Sequence, residues 1–115
     1  MPAVRFVGPR GAVWTAQIAD GFWSRMRGLL GATPLAQDRG LWLVPCNSVH
    51  TFFLAFPIDI VYLSHQHTVV KLQSTLPPFR VSFGGRRAAS AIELASGSID
   101  RMGLQVGDQL VRSPD

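Results

Sequence analysis

The strongest constraint on the fold is a long apolar stretch in the middle of the chain that prolines interrupt twice. Pro45 ends the first apolar run, 40–44, and Pro57 separates two further runs, 51–56 and 58–63. Proline has no backbone N–H, so it cannot continue a helix or a central strand, and each run must stay short. Short runs of β-branched and aromatic residues between turn formers predict strands. The middle of the chain is therefore predicted to be β structure.

Shorter apolar runs on either side of this stretch predict the rest of a sheet. Residues 3–7 and 12–18 flank a Gly/Pro turn, which predicts an opening hairpin. Residues 64–67 are polar and of hairpin length. The other predicted strands are 68–72, 88–94 and 109–112. By contrast, residues 76–87 contain two prolines, two glycines and three arginines, and they are expected to form an exposed, mobile loop.

One amphipathic helix is predicted after the opening hairpin. Apolar residues recur at helical spacing within 22–30, Asp20 can cap the first turn, and Gly31 can end the last one. Ser98 is expected to cap a short helical turn over 99–102. These elements predict an α+β fold. The fold would be β-rich, with a mostly antiparallel sheet that is strongly bent or barrel-like. This sheet would pack on the amphipathic helix, and the short helical turn would be the second helical element.

Composition supports a single domain over residues 1–115 that carries no stabilising cross-link. The chain is 47% hydrophobic and 16% charged, so it can bury a core. One cysteine, Cys46, excludes an intrachain disulfide and a multi-thiolate zinc site, and no cofactor is expected. Neither a signal peptide nor a membrane-spanning helix is visible, so a cytoplasmic location is expected.

The basic balance of the chain has one local concentration. Ten arginines and one lysine against seven carboxylates give a net charge of +4, yet the basic residues form no continuous block. Arg80, Arg86 and Arg87 fall in one loop and alternate there with the aromatic residues Phe79 and Phe83. Such a patch attracts anions, so we expect a protein or anionic small-molecule partner. Nucleic acid is the less favoured partner, since no RNA-binding motif is present.

Cys46 and His50 are candidate catalytic residues. An imidazole close to a thiol favours the thiolate, and Asp59 or Asn47 could orient the imidazole. The alternative is that Cys46 is a small buried apolar residue and that His50 bonds to the backbone. His65 and His67 lie at a predicted hairpin tip, where solvated polar residues are usual, and no metal site is expected.

Two carboxylates lie within apolar runs and require partners. Asp59 and Glu93, if buried, must be hydrogen-bonded or paired, or they will take up a proton. Arg25 and backbone amides are the candidate partners in a network that fixes the fold. The alternative is a small polar pocket that His50, Thr51, Asp59 and Arg25 line.

Three ordered patches of the sequence together resemble a known family. The patches are Ala19–Asp20 with Arg25–Gly31, Gly40–Leu63, and Glu93–Gly97 with Gly103–Leu104 and Gly107–Asp108. They resemble the bacterial and archaeal family named domain of unknown function 192, over nearly the whole chain. Leu30 and Leu54 stand where that family often has methionine. The resemblance implies a small β-rich domain and implies no activity. We expect structural roles for the closing-patch residues Glu93, Gly97, Gly107 and Asp108.

These observations predict a non-enzymatic binding or accessory module. Its binding features would be a small polar pocket near His50 and Asp59 and a basic loop at 79–87. One alternative is a small hydrolase or transferase that uses Cys46 and His50. Nucleic-acid binding through the basic loop is a third possibility. The candidate binding residues are His50, Thr51, Asp59, Arg25, Arg80, Arg86 and Arg87.

Overall fold

The structure of the protein, a computed structural model, describes residues 3–19, 36–52 and 54–114. Apart from one turn of 3-10 helix at Pro9–Gly11, the regular elements of these residues are strands and one short helix, α1. The elements are β1 (Ala3–Val7), β2 (Val13–Ala19), β3 (Arg39–Leu43), β4 (Ser48–His50), β5 (Ile58–Leu63), β6 (Val69–Leu76), β7 (Val81–Phe83), β8 (Ser90–Ala95), α1 (Ser98–Met102) and β9 (Val111–Pro114).

Seven of these strands form one sheet, in the order β6–β5–β8–β3–β2–β1–β9. The strands β4 and β7 pair with each other in a separate two-stranded ribbon. Within the sheet, the pairs of described strands are antiparallel except for β2 and β3, which are parallel. A parallel pair requires a crossover connection, which here falls between residues 19 and 39.

The sheet curls until its two ends approach each other. Residues 67–69, at the start of β6, exchange backbone hydrogen bonds with residues 107–110, just before β9. Val69 donates its N–H to the carbonyl of Asp108 at 2.8 Å, and Gly107 donates its N–H to the carbonyl of Val69 at 2.8 Å. Because β6 and β9 are the two edge strands of the sheet, these hydrogen bonds show that the sheet curls into a half-barrel.

The two faces of the curled sheet bury two separate apolar clusters, because side chains alternate along a strand. Val61 and Leu63 of β5 belong to the inner cluster, which the curl encloses. Ile60 and Tyr62 belong to the outer cluster, which also contains Val49 of the ribbon. The ribbon therefore covers the outer face of the sheet. The largest inner side chains are Phe6, Trp14, Trp42, Ile92, Leu94 and Leu110.

Most of the predicted strands are confirmed. Residues 3–7 and 13–19 form the opening hairpin, and 39–43 and 58–63 form buried strands. The strand predicted at 68–72 continues to Leu76. The predicted strands at the end of the chain appear as β8 and β9, with β9 displaced by two residues. The amphipathic helix predicted after Asp20 lies outside the described residues.

Three local predictions were wrong. Residues 51, 52 and 54–56 are not in a strand: Leu54 donates its N–H to the carbonyl of Thr51 at 3.2 Å, which turns the chain. Within the loop predicted at 76–87, Val81–Phe83 forms β7, because β4 supplies a pairing partner. The hydroxyl of Ser98 does not cap α1, since it donates to the carbonyl of Ala95 at 2.6 Å.

Candidate functional site

The ribbon of β4 and β7 presents an apolar face to solvent. Val49 of β4 and Ser82 of β7 are buried against the sheet, so their neighbours in sequence point outward. His50 lies opposite Val81, and both are exposed. Phe83 lies opposite Ser48 on the same face and is 65% exposed.

Two more phenylalanines extend this face beyond the end of the ribbon. The ring of Phe52 stacks on the imidazole of His50, with 5.3 Å between ring centroids and 26° between planes. Phe79 is 66% exposed and Phe52 is 46% exposed. A contiguous group of exposed apolar side chains usually marks an interaction surface. We call His50, Phe52, Phe79, Val81 and Phe83 the aromatic patch.

Thr51 holds the two chain segments of the aromatic patch together. Its side chain is fully buried and donates its hydroxyl hydrogen to the carbonyl of Pro77 at 2.7 Å. The same oxygen accepts the backbone N–H of Arg80 at 2.9 Å. The backbone carbonyl of Thr51 accepts the N–H of Phe79 at 3.1 Å. Thr51 is therefore an anchor beneath the patch, and its hydroxyl is already used within the protein.

Three exposed arginines lie beside the aromatic patch. Arg80, Arg86 and Arg87 flank β7 and are all exposed to solvent. No carboxylate of the described residues pairs with any of the three guanidinium groups. Because the positive charges are not compensated locally, this surface attracts anions.

Under the ribbon, a small polar group lies within the outer cluster. The Tyr62 hydroxyl donates to the Ser82 hydroxyl at 2.9 Å, which ties the sheet to β7. Burial raises the pKa of Tyr62, and negative charge on Cys46 or Glu93 would raise it further. Glu93 is buried, and its Oε2 atom has no hydrogen-bond partner among the residues that the structure describes. Burial raises the pKa of Glu93 to about 8. Glu93 is therefore mostly protonated at neutral pH.

Gly84 lets the ribbon pack closely on Tyr62. A methyl group at this position would overlap the ring carbons of Tyr62 and lie 2.7 Å from Cβ of Ala88. We expect Gly84→Ala to lower the free energy of unfolding by about 2 kcal/mol, because the ribbon must move off the sheet. Urea denaturation would measure the loss.

The neighbouring glycine is the matched control for this substitution. Gly85 has open space around it, but its φ of 91° lies in the left-handed region. Gly85→Ala should therefore cost about 1 kcal/mol through backbone strain alone. If Gly84→Ala is no more destabilising than Gly85→Ala, Tyr62 does not pack as closely as described.

Asp59 does not lie beside the aromatic patch. It alternates with Ile60 along β5, so it points to the inner face of the sheet, whereas the ribbon covers the outer face. Its two carboxylate oxygens accept backbone N–H groups from Thr75 at 2.8 Å and from Ile99 at 2.9 Å. The structure therefore places Asp59 apart from His50, in a network of backbone amides. Arg25, the other predicted pocket residue, lies outside the described residues.

The Asp59 network has a local cause. Ile58 and Ile60 of β5 pair with Leu76 and Gln73 of β6. One residue separates the two pairs on β5 and two residues separate them on β6, so β6 contains a bulge. The bulge leaves the N–H of Thr75 without a ladder partner, and the Asp59 carboxylate accepts it. The other carboxylate oxygen accepts the N–H of Ile99 in the first turn of α1. The N-cap residue of α1, Gly97, supplies no side-chain hydrogen bond to this turn.

Cys46 and His50 lie on different sides of the ribbon segment. Cys46 is half-buried, packs against the outer cluster and has its Sγ atom 2.9 Å from the carbonyl oxygen of Ser48. His50 is on the exposed face, against Phe52. The structure thus supports a packing role for Cys46. Among the described residues, no group of three or more His, Cys, Asp or Glu side chains could hold a metal ion.

Asp108 belongs to a cluster that fastens the opening hairpin to the end of α1. Arg10 forms a salt bridge with the Asp108 carboxylate and donates to the carbonyl of Gly103 at 2.8 Å. Asp108 also accepts the N–H of Gln105 at 2.8 Å. Gly97, at the start of α1, has a φ of 90°. Gly107, in the turn before β9, likewise has a positive φ, of 98°.

Sequence reasoning missed Arg10, the strand β7 and the place of Phe52 in the aromatic patch. Arg10 lies in a turn, where a charged residue is ordinarily solvated, and nothing local indicates a partner 98 residues away. The alternation of Val81 and Phe83 around a polar Ser82 was a weak strand signal in a segment with many glycines and prolines. Phe52 was assigned to a strand that does not form.

Fold and surface together define a class of small domain in which a half-barrel sheet is covered by a ribbon with a solvent-facing aromatic patch. The chain belongs to the domain of unknown function 192 family, described as "Uncharacterized ACR", and the family model matches residues 5–112. The resemblance seen in the sequence is thereby confirmed. Among the described residues, no helix is both long and apolar enough to cross a membrane.

Relatives and solved structures are consistent with this assignment. The chain is 35% identical to a UPF0127 protein of Thermococcus sibiricus, over 88% of this chain and 69% of the relative. It is 30% identical to a UPF0127 protein of Pyrococcus furiosus, over 82% and 83% of the two chains. The fold is similar to a protein of unknown function from Novosphingobium aromaticivorans, with a TM-score of 0.82, 19% identity and coverage of 95% and 83%. A proposed transcription regulator from Sinorhizobium meliloti has the same TM-score at 21% identity, with coverage of 96% and 92%.

Proposed function

We propose that the protein is a binding module for an anionic partner and that the aromatic patch, together with Arg80, Arg86 and Arg87, is its binding surface. The observation that carries the proposal is the combination, around one short ribbon, of exposed rings with arginines that no carboxylate of the described residues pairs with. Phenylalanine side chains are usually buried, whereas Phe79 and Phe83 are each about two-thirds exposed.

Charge supports an anionic partner. The chain carries a net charge of +4, and the three arginines are concentrated at the ends of β7. Lys71 adds a fourth cation close by, since its Nζ atom donates to the carbonyl of Phe83. An exposed guanidinium can donate two parallel hydrogen bonds to a phosphate or carboxylate, which makes it suitable for recognising such groups.

The ribbon surface supports binding better than a pocket near Asp59 does. Both Asp59 oxygens and the Thr51 hydroxyl are engaged by the backbone, so these groups have little capacity for a ligand. Of the predicted binding residues in the described part of the chain, His50, Arg80, Arg86 and Arg87 are exposed. We therefore assign the binding role to the outer face of the ribbon.

The test uses short-chain inorganic polyphosphate as a probe, with calorimetric titration at several salt concentrations. We expect Arg86→Gln and Arg87→Gln each to weaken binding severalfold and to reduce the dependence of log K on log salt by about 0.7, because each removes one phosphate contact. Arg39, an exposed arginine at the start of β3, supplies the control of equal charge. If Arg39→Gln weakens binding as much, the effect comes from net charge and the proposed surface is wrong.

A further inference from the structure

We infer that the anionic partner is a single-stranded nucleic acid whose unpaired bases stack on the aromatic patch. The inference rests on the proposed function and adds to it the class of ligand. Proteins that bind single strands without strict sequence preference combine a cationic track for phosphates with aromatic rings for bases. The ribbon carries both features within one short segment of chain.

The arrangement of the rings supports stacking. Val81 and Phe83 point outward from β7 at adjacent outward positions, about 7 Å apart along the strand. Phe79 precedes Val81 by two residues and is exposed, and the Phe52 ring lies on the imidazole of His50. Phe79 and Phe83 are therefore exposed rings on either side of Val81, and exposed ring faces suit unpaired bases. Duplex nucleic acid would not expose its base faces to them.

Three exposed arginines flank the exposed rings along the chain. Arg80 lies between the exposed Phe79 and Val81, and its guanidinium contacts within the described residues are confined to the neighbouring carbonyl of Phe79 at 3.3 Å. Arg86 and Arg87 follow β7 and are exposed. Rings and guanidinium groups thus alternate along residues 79–87, so stacked bases would bring their phosphates to the arginines.

The alternative to a nucleic acid is an acidic protein surface. The exposed faces of the phenylalanine rings favour the nucleic acid. Carboxylates would satisfy the arginines but would leave the three phenylalanines to be covered by aliphatic groups. Aliphatic contact depends on apolar area and not on the ring face, whereas bases require the ring face. Leucine and tryptophan substitutions separate these two cases.

The first experiment measures fluorescence anisotropy with labelled twelve-nucleotide oligo-dT and oligo-rU and with a duplex of equal length, at low salt. We expect both single strands to bind at least tenfold more tightly than the duplex. If the single strands bind no better than the duplex while polyphosphate binding still depends on Arg86 and Arg87, the proposed anion binding stands and this inference is overturned. If neither probe binds, both the proposed function and this inference fail.

The second experiment changes the rings and retains apolar area. Phe79→Leu combined with Phe83→Leu should weaken oligo-dT binding about tenfold or more, since base stacking is lost at two positions. Phe83→Trp should bind oligo-dT at least as tightly as the original protein, because the larger ring retains a stacking face. The exposed Val106→Ala serves as a control outside the patch. Equal oligo-dT affinity for the leucine variant and the original protein would contradict base stacking. Thermal unfolding of each variant verifies that the fold is retained.

Discussion

The free energy of unfolding is expected to fall as the pH rises from about 6.5 to about 8, because Glu93 is buried without a partner for Oε2 among the described residues. Burial raises the pKa of Glu93 from 4.5 to about 8 in the folded chain. Between these two values the folded state holds a proton that the unfolded state has released. Stability therefore decreases with pH, by at most about 1.4 kcal/mol for each pH unit, until the folded chain also loses the proton.

His67 contributes a smaller pH dependence of the opposite sign at the lower end of this pH range. Burial and the nearby Arg112 lower the pKa of His67 below its ordinary value of 6.5. Below that value the unfolded state binds more protons at His67 than the folded state does, so stability is lost as the pH falls. This trend opposes the Glu93 trend. As the pH rises above 6.5 both states of His67 become neutral, so its opposing contribution shrinks, and the difference between the original protein and Glu93→Gln isolates the Glu93 effect.

Glu93→Gln is the variant that tests this account, with urea denaturation at pH 6.5, 7, 7.5 and 8 as the measurement. Glutamine resembles the protonated carboxyl and does not titrate, so the variant should lose most of the pH dependence. Asp100→Asn, on the exposed side of α1, is the matched control and should retain it. Identical pH profiles for the original protein and Glu93→Gln would show that Glu93 is ionised in the folded state.

Asp59→Asn is expected to lower the free energy of unfolding by about 3 to 4 kcal/mol. Asp59 is fully buried and accepts backbone N–H groups from Thr75 and Ile99. Asparagine can accept through its oxygen alone, so its NH₂ group would face one of these two donors. One buried N–H would then lose its partner, and the negative charge at the start of α1 would be removed.

Urea denaturation at pH 7 measures this loss, and Asp100→Asn again provides a carboxylate-to-amide change at an exposed position. The control should alter the free energy of unfolding by less than about 0.5 kcal/mol. An unfolding midpoint for Asp59→Asn equal to that of the original protein would contradict the network. Because Asp59 faces away from the ribbon, polyphosphate binding by the folded variant should not change, which separates this prediction from the binding proposals.

The two carboxylates illustrate how far the sequence could be interpreted. Their positions within apolar runs were sufficient to predict that Asp59 and Glu93 would need hydrogen bonds or a proton. The sequence left open which of them would find a partner. Asp59 finds one because a bulge in β6 and the first turn of α1 direct free N–H groups toward it. Glu93 faces the outer cluster, where Tyr62 bonds to Ser82 instead.

The ribbon shows why the surface was harder to predict than the strands. Residues 51–56 have strong β propensity, yet the chain turns at Leu54 and places Phe52 on the surface. Residues 81–83 contain few β signals beyond alternation, yet they form a strand because β4 pairs with them from thirty residues away. Propensity at these positions is outweighed by the pairing partner that the tertiary structure supplies.

The sequence by itself determined that this protein is a small β-rich domain with short strands, because prolines and glycines divide its apolar residues into runs that no long helix could contain. It also determined where positive charge accumulates. Tertiary structure decided the rest: the strand order, the parallel pairing of β2 with β3, the face toward which each carboxylate points, and the approach of His50 and Phe52 to the rings and arginines of residues 79–87. Each of these depends on contacts between residues distant along the chain, which local periodicity does not encode.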